Sequence, residues 1–321
     1  MSEEPKRGST GRTGPETKPV VKPTTAKVNN SVGTQPNEIP IPADYRLLGV
    51  TSGYDPRPAD GLRMFIVGPA GEGKSTFVSS IPGALILDFE KGANAIPRSK
   101  SARVRIKNYD HYRQVVDQLI KDGKQGRLVY SRIIFDTVDE WAALIADRLA
   151  LDHNTADITE FGSKGHGWAL IKNKAWSDVR DLENAGYTWT CVGHLTEKTV
   201  TSPIDHKETT VIRALLFGSF AKTIQRNCDV YGTVYNMAGE RTVKQTIALP
   251  SGIKRNIEKK IPTTVYRLDL STVGSKEGKL RGVPKMPRML ELPAVDGWGV
   301  FKAAYSKAVQ EEKVSIEKQG K

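Results

Sequence analysis

The sequence predicts an α/β fold in which a mostly parallel central sheet is flanked by helices and extended by C-terminal β-hairpins. Three observations carry that prediction. Short apolar runs of strand character alternate with stretches of helical period between Arg63 and Leu195. A glycine cluster, Gly68 to Ser75, joins the first of these runs to a helix. Beyond Leu195 the pattern changes to β-like alternation in "TEKTVTS", "KETTVIRALLF", "DVYGTVYN" and "TVKQTIAL".

Taken in order, residues 1–44 are rich in Pro, Thr, Gly, Ser and Asn and read as a disordered tail, because they cannot bury enough apolar surface to offset their ordering entropy. Residues 45–250 read as the folded core, and 251–321 as a basic C-terminal extension with a terminal helix. An entry segment "YRLLGV" and a turn-rich "SGYDPRPADG" precede the first strand, "RMFIV" (Arg63 to Val67). The helix that opens at Lys74 ends near Pro82, which cannot continue it. "ALILDFE" (Ala84 to Glu90) and "ARVRI" (Ala102 to Ile106) read as strands, followed by an amphipathic helix over Tyr109–Lys121 and the strand "LVYSRIIFD" (Leu128 to Asp136). A helix over Glu140–Leu151, the Gly-rich "FGSKGHGW" (Phe161 to Trp168), a helix to about Asn184 and the strand "YTWTCVGHL" come next. The last helix is expected over Gly299–Gln310, and no internal repeat is visible.

Composition narrows the class. The chain has 321 residues, 38% of them hydrophobic, and no apolar run long enough to span a bilayer. Its N-terminus lacks the apolar stretch of a secretory signal, and Cys191 and Cys228 are its two cysteines, so a cytoplasmic, disulfide-free protein is expected. Cys191 lies in an apolar run, where packing explains it. The net charge of +12 is concentrated in "GIKRNIEKK" and "SKEGKLRGVPKMPR", between Gly252 and Arg288. That stretch is either a solvated face or a surface for a phosphate backbone, with Lys254, Arg255, Lys259 and Lys260 its densest part.

Gly68, Pro69, Ala70, Gly71, Glu72, Gly73, Lys74 and Ser75, followed by Thr76, satisfy the full P-loop pattern with a strand before and a helix after. The glycines let backbone N–H groups point at phosphates, the helix N-terminus adds a favourable dipole, Lys74 supplies a point charge, and Ser75 can ligate Mg²⁺. "IIFDT" places Asp136 at the end of a buried strand, where its carboxylate can hold the magnesium through water. The same sequence, "DTVDE", also suits a helix N-cap. Thr137 follows Asp136 where the AAA+ pattern has a glutamate. "LILDFEKG" offers another: Asp88 and Glu90 share a face at period-two spacing, and Glu90 emerges at the sheet edge that carries the phosphate loop.

With "GPAGEGKST", "LILDFEKG", "IIFDT" and "CVGHLTEK" in this order, followed by a helix and "NCDVYGTVYN", the sequence resembles the RecA-like ATPases. The likeness is to the phage RecA-like ATP-binding proteins, including single-strand-annealing recombinases, and it covers about Leu62 to Tyr235. The resemblance implies ATP and Mg²⁺ as cofactors and Glu90 as the group that activates water. It implies His194 as the strand-end sensor of the γ-phosphate, although a lone strand-end histidine also serves structure. It implies DNA contact by a loop beginning at Lys198 and by the loop of Lys164 and Trp168, the latter equally readable as a helix entry. It further implies single-stranded DNA as partner, a homo-oligomer, a single-strand-binding protein as associate, and the host cytoplasm as location. Two other readings stay open: a P-loop kinase, for which no Arg-rich lid is visible between Asp136 and His194, and a nucleotide-gated binding module without turnover. A G protein is disfavoured because "NKAW" has Trp176 where the base-reading Asp belongs. An arginine finger is unassigned among Lys198, Arg213 and Arg226.

Overall fold

Parallel strands need long crossovers, and here helices supply most of them. The computed structural model describes residues 42–48, 53–90, 96, 99–160, 162, 165–201, 208–248, 254–271, 278–293 and 295–319. The expected tail lies outside these residues up to position 41. A short helix α1 (Ala43–Leu47) precedes β1 (Met64–Gly68), α2 (Lys74–Ser79), β2 (Ala84–Asp88) and β3 (Ala102–Arg105). Then come α3 (Tyr109–Lys124), β4 (Arg132–Asp136), α4 (Val138–Asp152), α5 (His166–Asn184) and β5 (Thr188–Thr201). The chain continues through β6 (Glu208–Ala214), α6 (Gly218–Asn227), β7 (Val230–Ala248), β8 (Lys254–Asp269), β9 (Lys279–Leu280), β10 (Met289–Leu292) and α7 (Gly297–Gln319).

The sheet runs β10-β8-β7-β1-β5-β4-β2-β3, with β6 on β5 and β9 on β7. From β3 to β7 the neighbours are parallel; β8, β10, β9 and β6 join antiparallel. This is the mostly parallel α/β sheet with hairpin extensions that the sequence predicts. Both faces of the central strands are covered, which is why β1, β2 and β4 are buried throughout, with apolar runs rather than alternation between their ends. One face packs Phe65, Phe135 and Cys191 against Tyr112, Trp141 and Ile171 of α3, α4 and α5, with Phe220 of α6. Trp141 stacks on Phe135 with centroids 4.3 Å apart. The other face packs Met64, Ile66 and Ile86 against Phe77 of α2 and Trp298, Phe301 and Tyr305 of α7.

Several boundaries differ from the sequence reading, for local reasons. Strand β4 starts at Arg132 rather than Leu128, because residues 128–131 are at most half-buried and precede the pairing with β2. Helix α7 runs nine residues past Gln310, on exposed positions rich in Glu and Lys that favour helix without packing. The segment expected as a C-terminal extension supplies β8 and β10 to the same sheet and α7 to the same core. The two long hairpins, β5/β6 and β7/β8, leave the sheet at the C-terminal edge of the parallel strands. Strand β1 holds β7 only over Val230–Thr233, and the β7/β8 pairing continues to Ala248 and Lys254.

At the opposite edge, Arg132 is buried with 1% exposure and lies under the Trp298 ring, 5.5 Å from its centroid. Its guanidinium donates to Leu62 O and Thr190 Oγ1 at 2.7 Å each, and to Asp60 O at 3.0 Å. Burial lowers its pKa to about 10, since carbonyls rather than a carboxylate receive it. Arg132→Ala leaves those acceptors buried and opens a cavity, so it is expected to cost about 3 kcal/mol or more in urea unfolding. A loss below about 1 kcal/mol would show that water reaches the orphaned carbonyls.

Candidate functional site

The P-loop takes its shape from three glycines. Gly71 and Gly73 have φ of 77° and 94°, a region in which side-chain-bearing residues are strained. Gly68 is confined by proximity instead, since a Cβ there would overlap the Val234 carbonyl. Gly73 meets both conditions, because a Cβ would also overlap the ring of Tyr266 on β8. The loop thus turns directly into α2, whose first residue is Lys74.

Lys74 is buried, and its Nζ donates to Gly68 O at 2.9 Å and Pro69 O at 2.6 Å. Burial lowers its pKa, opposed by Asp136, Glu90, Asp139 and Glu72. Ser75, Thr76, Glu90, Arg103, His194 and Tyr266 join it around a cavity of about 290 Å³. The sequence-predicted nucleotide residues Ala70 to Thr76 line this cavity, while Gly68 and Pro69 supply the carbonyls that hold Lys74.

The acids sit where neighbouring strands end. Asp136 is paired in register with Asp88 of β2 and with Val192 of β5. Asp136 is 3% exposed and its Oδ1 has no hydrogen-bond partner. Burial raises its pKa to about 6, with the Ser75 hydroxyl acting in the opposite sense. An orphaned buried carboxylate oxygen beside a serine hydroxyl at a P-loop fits a hydrated divalent cation, so Ser75 and Asp136 are the residues that could hold one. Asp88 is also buried, with an unpartnered Oδ1 and its Oδ2 3.5 Å from Arg103 Nη1.

Glu90 and His194 meet. His194 Nε2 lies 3.3 Å from Glu90 Oε1, and Nδ1 lies 2.7 Å from Asp139 Oδ2. The His194 backbone N–H also donates to Asp139 Oδ1 at 3.3 Å. The hydrogen bond to Asp139 raises the His194 pKa more than its burial lowers it. Burial pushes Asp139 up, but the His194 contacts outweigh it and leave the carboxyl below its usual range. Asp139, on the first turn of α4, is therefore part of the site.

The sequence reading missed Arg103 and Tyr266, which belong to no motif and come from 28 and 191 residues beyond Ser75 in the chain. Glu72 is likewise more than a loop residue: it accepts a hydrogen bond from the Asn236 backbone N–H and ties β7 to the P-loop.

The expected DNA-contacting residues are scattered. Lys164 lies outside the described residues. Trp168 stands on the first turn of α5 rather than in a loop, 40% exposed and 5.0 Å from the Phe217 ring. Lys198 lies within β5, opposite Val211 of β6, so the segment after His194 is a hairpin. Lys254, Arg255, Lys259 and Lys260 lie on β8 toward the tip of its hairpin. Lys259 and Lys260 are exposed, and Lys260 pairs with Glu240 at 3.0 Å.

The raised His194 pKa means that the protonated imidazole is favoured in the folded chain. Its contribution to stability is fully present below the unfolded value of about 6.5 and is lost as pH rises through the folded value. The Asp139 contribution runs the other way and disappears at acid pH. An NMR titration of the His194 ring is expected to show a midpoint above the ordinary histidine value, returning toward it in Asp139→Asn. A midpoint unmoved by that substitution would mean that the carboxylate does not hold the ring charged.

The chain is similar to several known proteins. A relative, the SPbeta prophage-derived uncharacterized protein YorG of Bacillus subtilis (strain 168), is 27% identical over 139 residues. The match takes in 43% of this chain and 42% of the relative, so the chain spans about two fifths of that protein's length. A solved structure, the crystal structure of the RadB recombinase, aligns at 12% identity and a TM-score of 0.36, over 78% of this chain and 93% of that one. A family model described as an AAA domain matches residues 60–255, from just before β1 to the start of β8. With that match spanning more than half its length and a P-loop at the head of its sheet, the chain belongs to the AAA domain family of P-loop NTPases.

Proposed function

We propose that this chain is a Mg²⁺-dependent ATPase that acts on single-stranded DNA in phage recombination, annealing or replication, as a homo-oligomer in the host cytoplasm. The observation that carries the reading is the meeting of Lys74, Ser75, Glu90 and His194 around one cavity, with Asp136 buried at the adjacent strand end. The prophage origin of the relative supports the phage setting.

In this reading the loop N–H groups of Gly71 to Thr76 receive the β- and γ-phosphates. Lys74 exchanges its two carbonyl acceptors for phosphate oxygens. Ser75 and Asp136 would hold the magnesium, which would supply charge neutralisation at the phosphates. Glu90 orients a water for in-line attack and accepts its proton. His194, held from behind by Asp139, fixes Glu90 at the cavity wall and can register the γ-phosphate. The β7/β8 hairpin, seated on the P-loop through Glu72 and Tyr266, carries the basic residues to the DNA backbone.

Turnover of ATP with and without single-stranded DNA tests the reading directly, with stimulation by DNA as the expected result. Lys74→Ala is expected to abolish nucleotide binding. Glu90→Gln is expected to bind ATP as the parent does and to lose turnover by about 10² or more. Full turnover in Glu90→Gln would move the base elsewhere, to Asp139 first.

DNA affinity is expected to fall with salt at a log–log slope of about −0.7 per neutralised phosphate. Replacing Lys254, Arg255, Lys259 and Lys260 with Gln should flatten that slope and leave DNA-free turnover intact. An unchanged slope would make the segment a solvated face.

A further inference from the structure

Among the described residues that line the nucleotide cavity, Lys74 and Arg103 are the permanent cations. The residues first considered for an arginine finger lie elsewhere. Lys198 and Arg213 are on the β5/β6 hairpin, and Arg226 is in the last turn of α6. Arg103 instead rises from β3, the edge strand beside β2, whose C-terminal end leads to Asp88 and Glu90.

The bonding of Arg103 differs from that of the arginines that hold the fold together. Arg63 grips Asp229 through Nε at 3.0 Å and Nη2 at 2.9 Å, and Arg113 reaches Asp178 at 2.5 Å. Among the described residues, Arg103 makes one long contact with Asp88, at 3.5 Å, and Asp88 Oδ1 is buried without a partner. A guanidinium has five N–H donors in a rigid fork matched to phosphate oxygens. One loose tether therefore steers the Arg103 head while keeping most of its fork for the cavity. Its side chain is 22% exposed, the carboxylate 3%.

We propose that Arg103 is a same-chain phosphate-binding residue that contacts the terminal phosphate of a bound nucleoside triphosphate, with Asp88 as its positioning residue. The assignment rests on the ATPase reading above and adds a cation to it. It adds a second positive charge to the cavity that Lys74 and Glu90 also line. Charge developing on the transferred phosphoryl group is met there by a donor that needs no second subunit.

The test is Arg103→Gln, which keeps the side-chain stem to Cδ and a polar end while removing the guanidinium and its charge. Thermal unfolding and ADP affinity report whether the cavity is intact. The expected result is a kcat lowered about 10² or more, with the Kd for ADP changed less than threefold and the Kd for a β,γ-imido triphosphate raised about tenfold. Arg103→Lys, with charge but no fork, should recover part of the triphosphate preference. Equal weakening of ADP and the triphosphate analogue, or a kcat loss below tenfold, overturns the proposal in favour of a structural ion pair. If the parent protein binds both nucleotides but hydrolyses neither, the ATPase reading fails. The ADP-against-triphosphate comparison still decides the role of Arg103.

Discussion

The pairing of β1 with β5, which sets Gly68 directly opposite His194, is the constraint on which the site depends. Side chains on a strand alternate between faces, so a slip of one residue would turn His194 away from the cavity and bring Gly193 or Leu195 in its place. Two further ladders extend the same edge: β4 against β5 fixes Asp136 opposite Val192, and β2 against β4 fixes Asp88 opposite Asp136. The acids, the imidazole and the phosphate loop are therefore placed by backbone hydrogen bonds in the most buried part of the molecule. Loops need only finish what the sheet has aligned.

The cavity is acidic before any ligand enters. Asp88, Asp136, Asp139, Glu72 and Glu90 surround Lys74, Arg103 and His194, and several of these acids act to keep Lys74 charged against the effect of its burial. Asp136, with an unpartnered oxygen and a raised pKa, is the most costly of them to keep ionised. A cation beside it would relieve that cost, which is the same physical reason that a carboxylate at a buried strand end makes a good metal ligand.

Local signals in the chain revealed the core of this arrangement. The P-loop is one contiguous pattern, Asp136 closes a run of apolar residues, and Glu90 stands two residues past Asp88, so each could be read without knowing any distant contact. The hairpins announced themselves by alternation, though not their reach beyond the sheet, because alternation is the same in a paired ribbon and in a sheet strand. Tyr266, Arg103 and the Glu72–Asn236 bond could not be read, since each joins segments whose proximity is decided by strand order rather than by spacing. Helix α7 had the same difficulty. Its apolar face is ordinary, and only the packing of Trp298 and Phe301 on Phe77 and the sheet makes it part of the core.

The contact between Gly73 and Tyr266 has a mechanical side. The base of the β7/β8 ribbon rests on the glycine at which the P-loop turns into α2. From Asn236 to Ala248 the ribbon runs about 40 Å, so a tilt of about 5° at its base would carry its tip through about 3 Å. By geometry alone, a tilt of that size at the glycine would correspond at the far end of the arm to a displacement comparable to the rise of one residue along a strand.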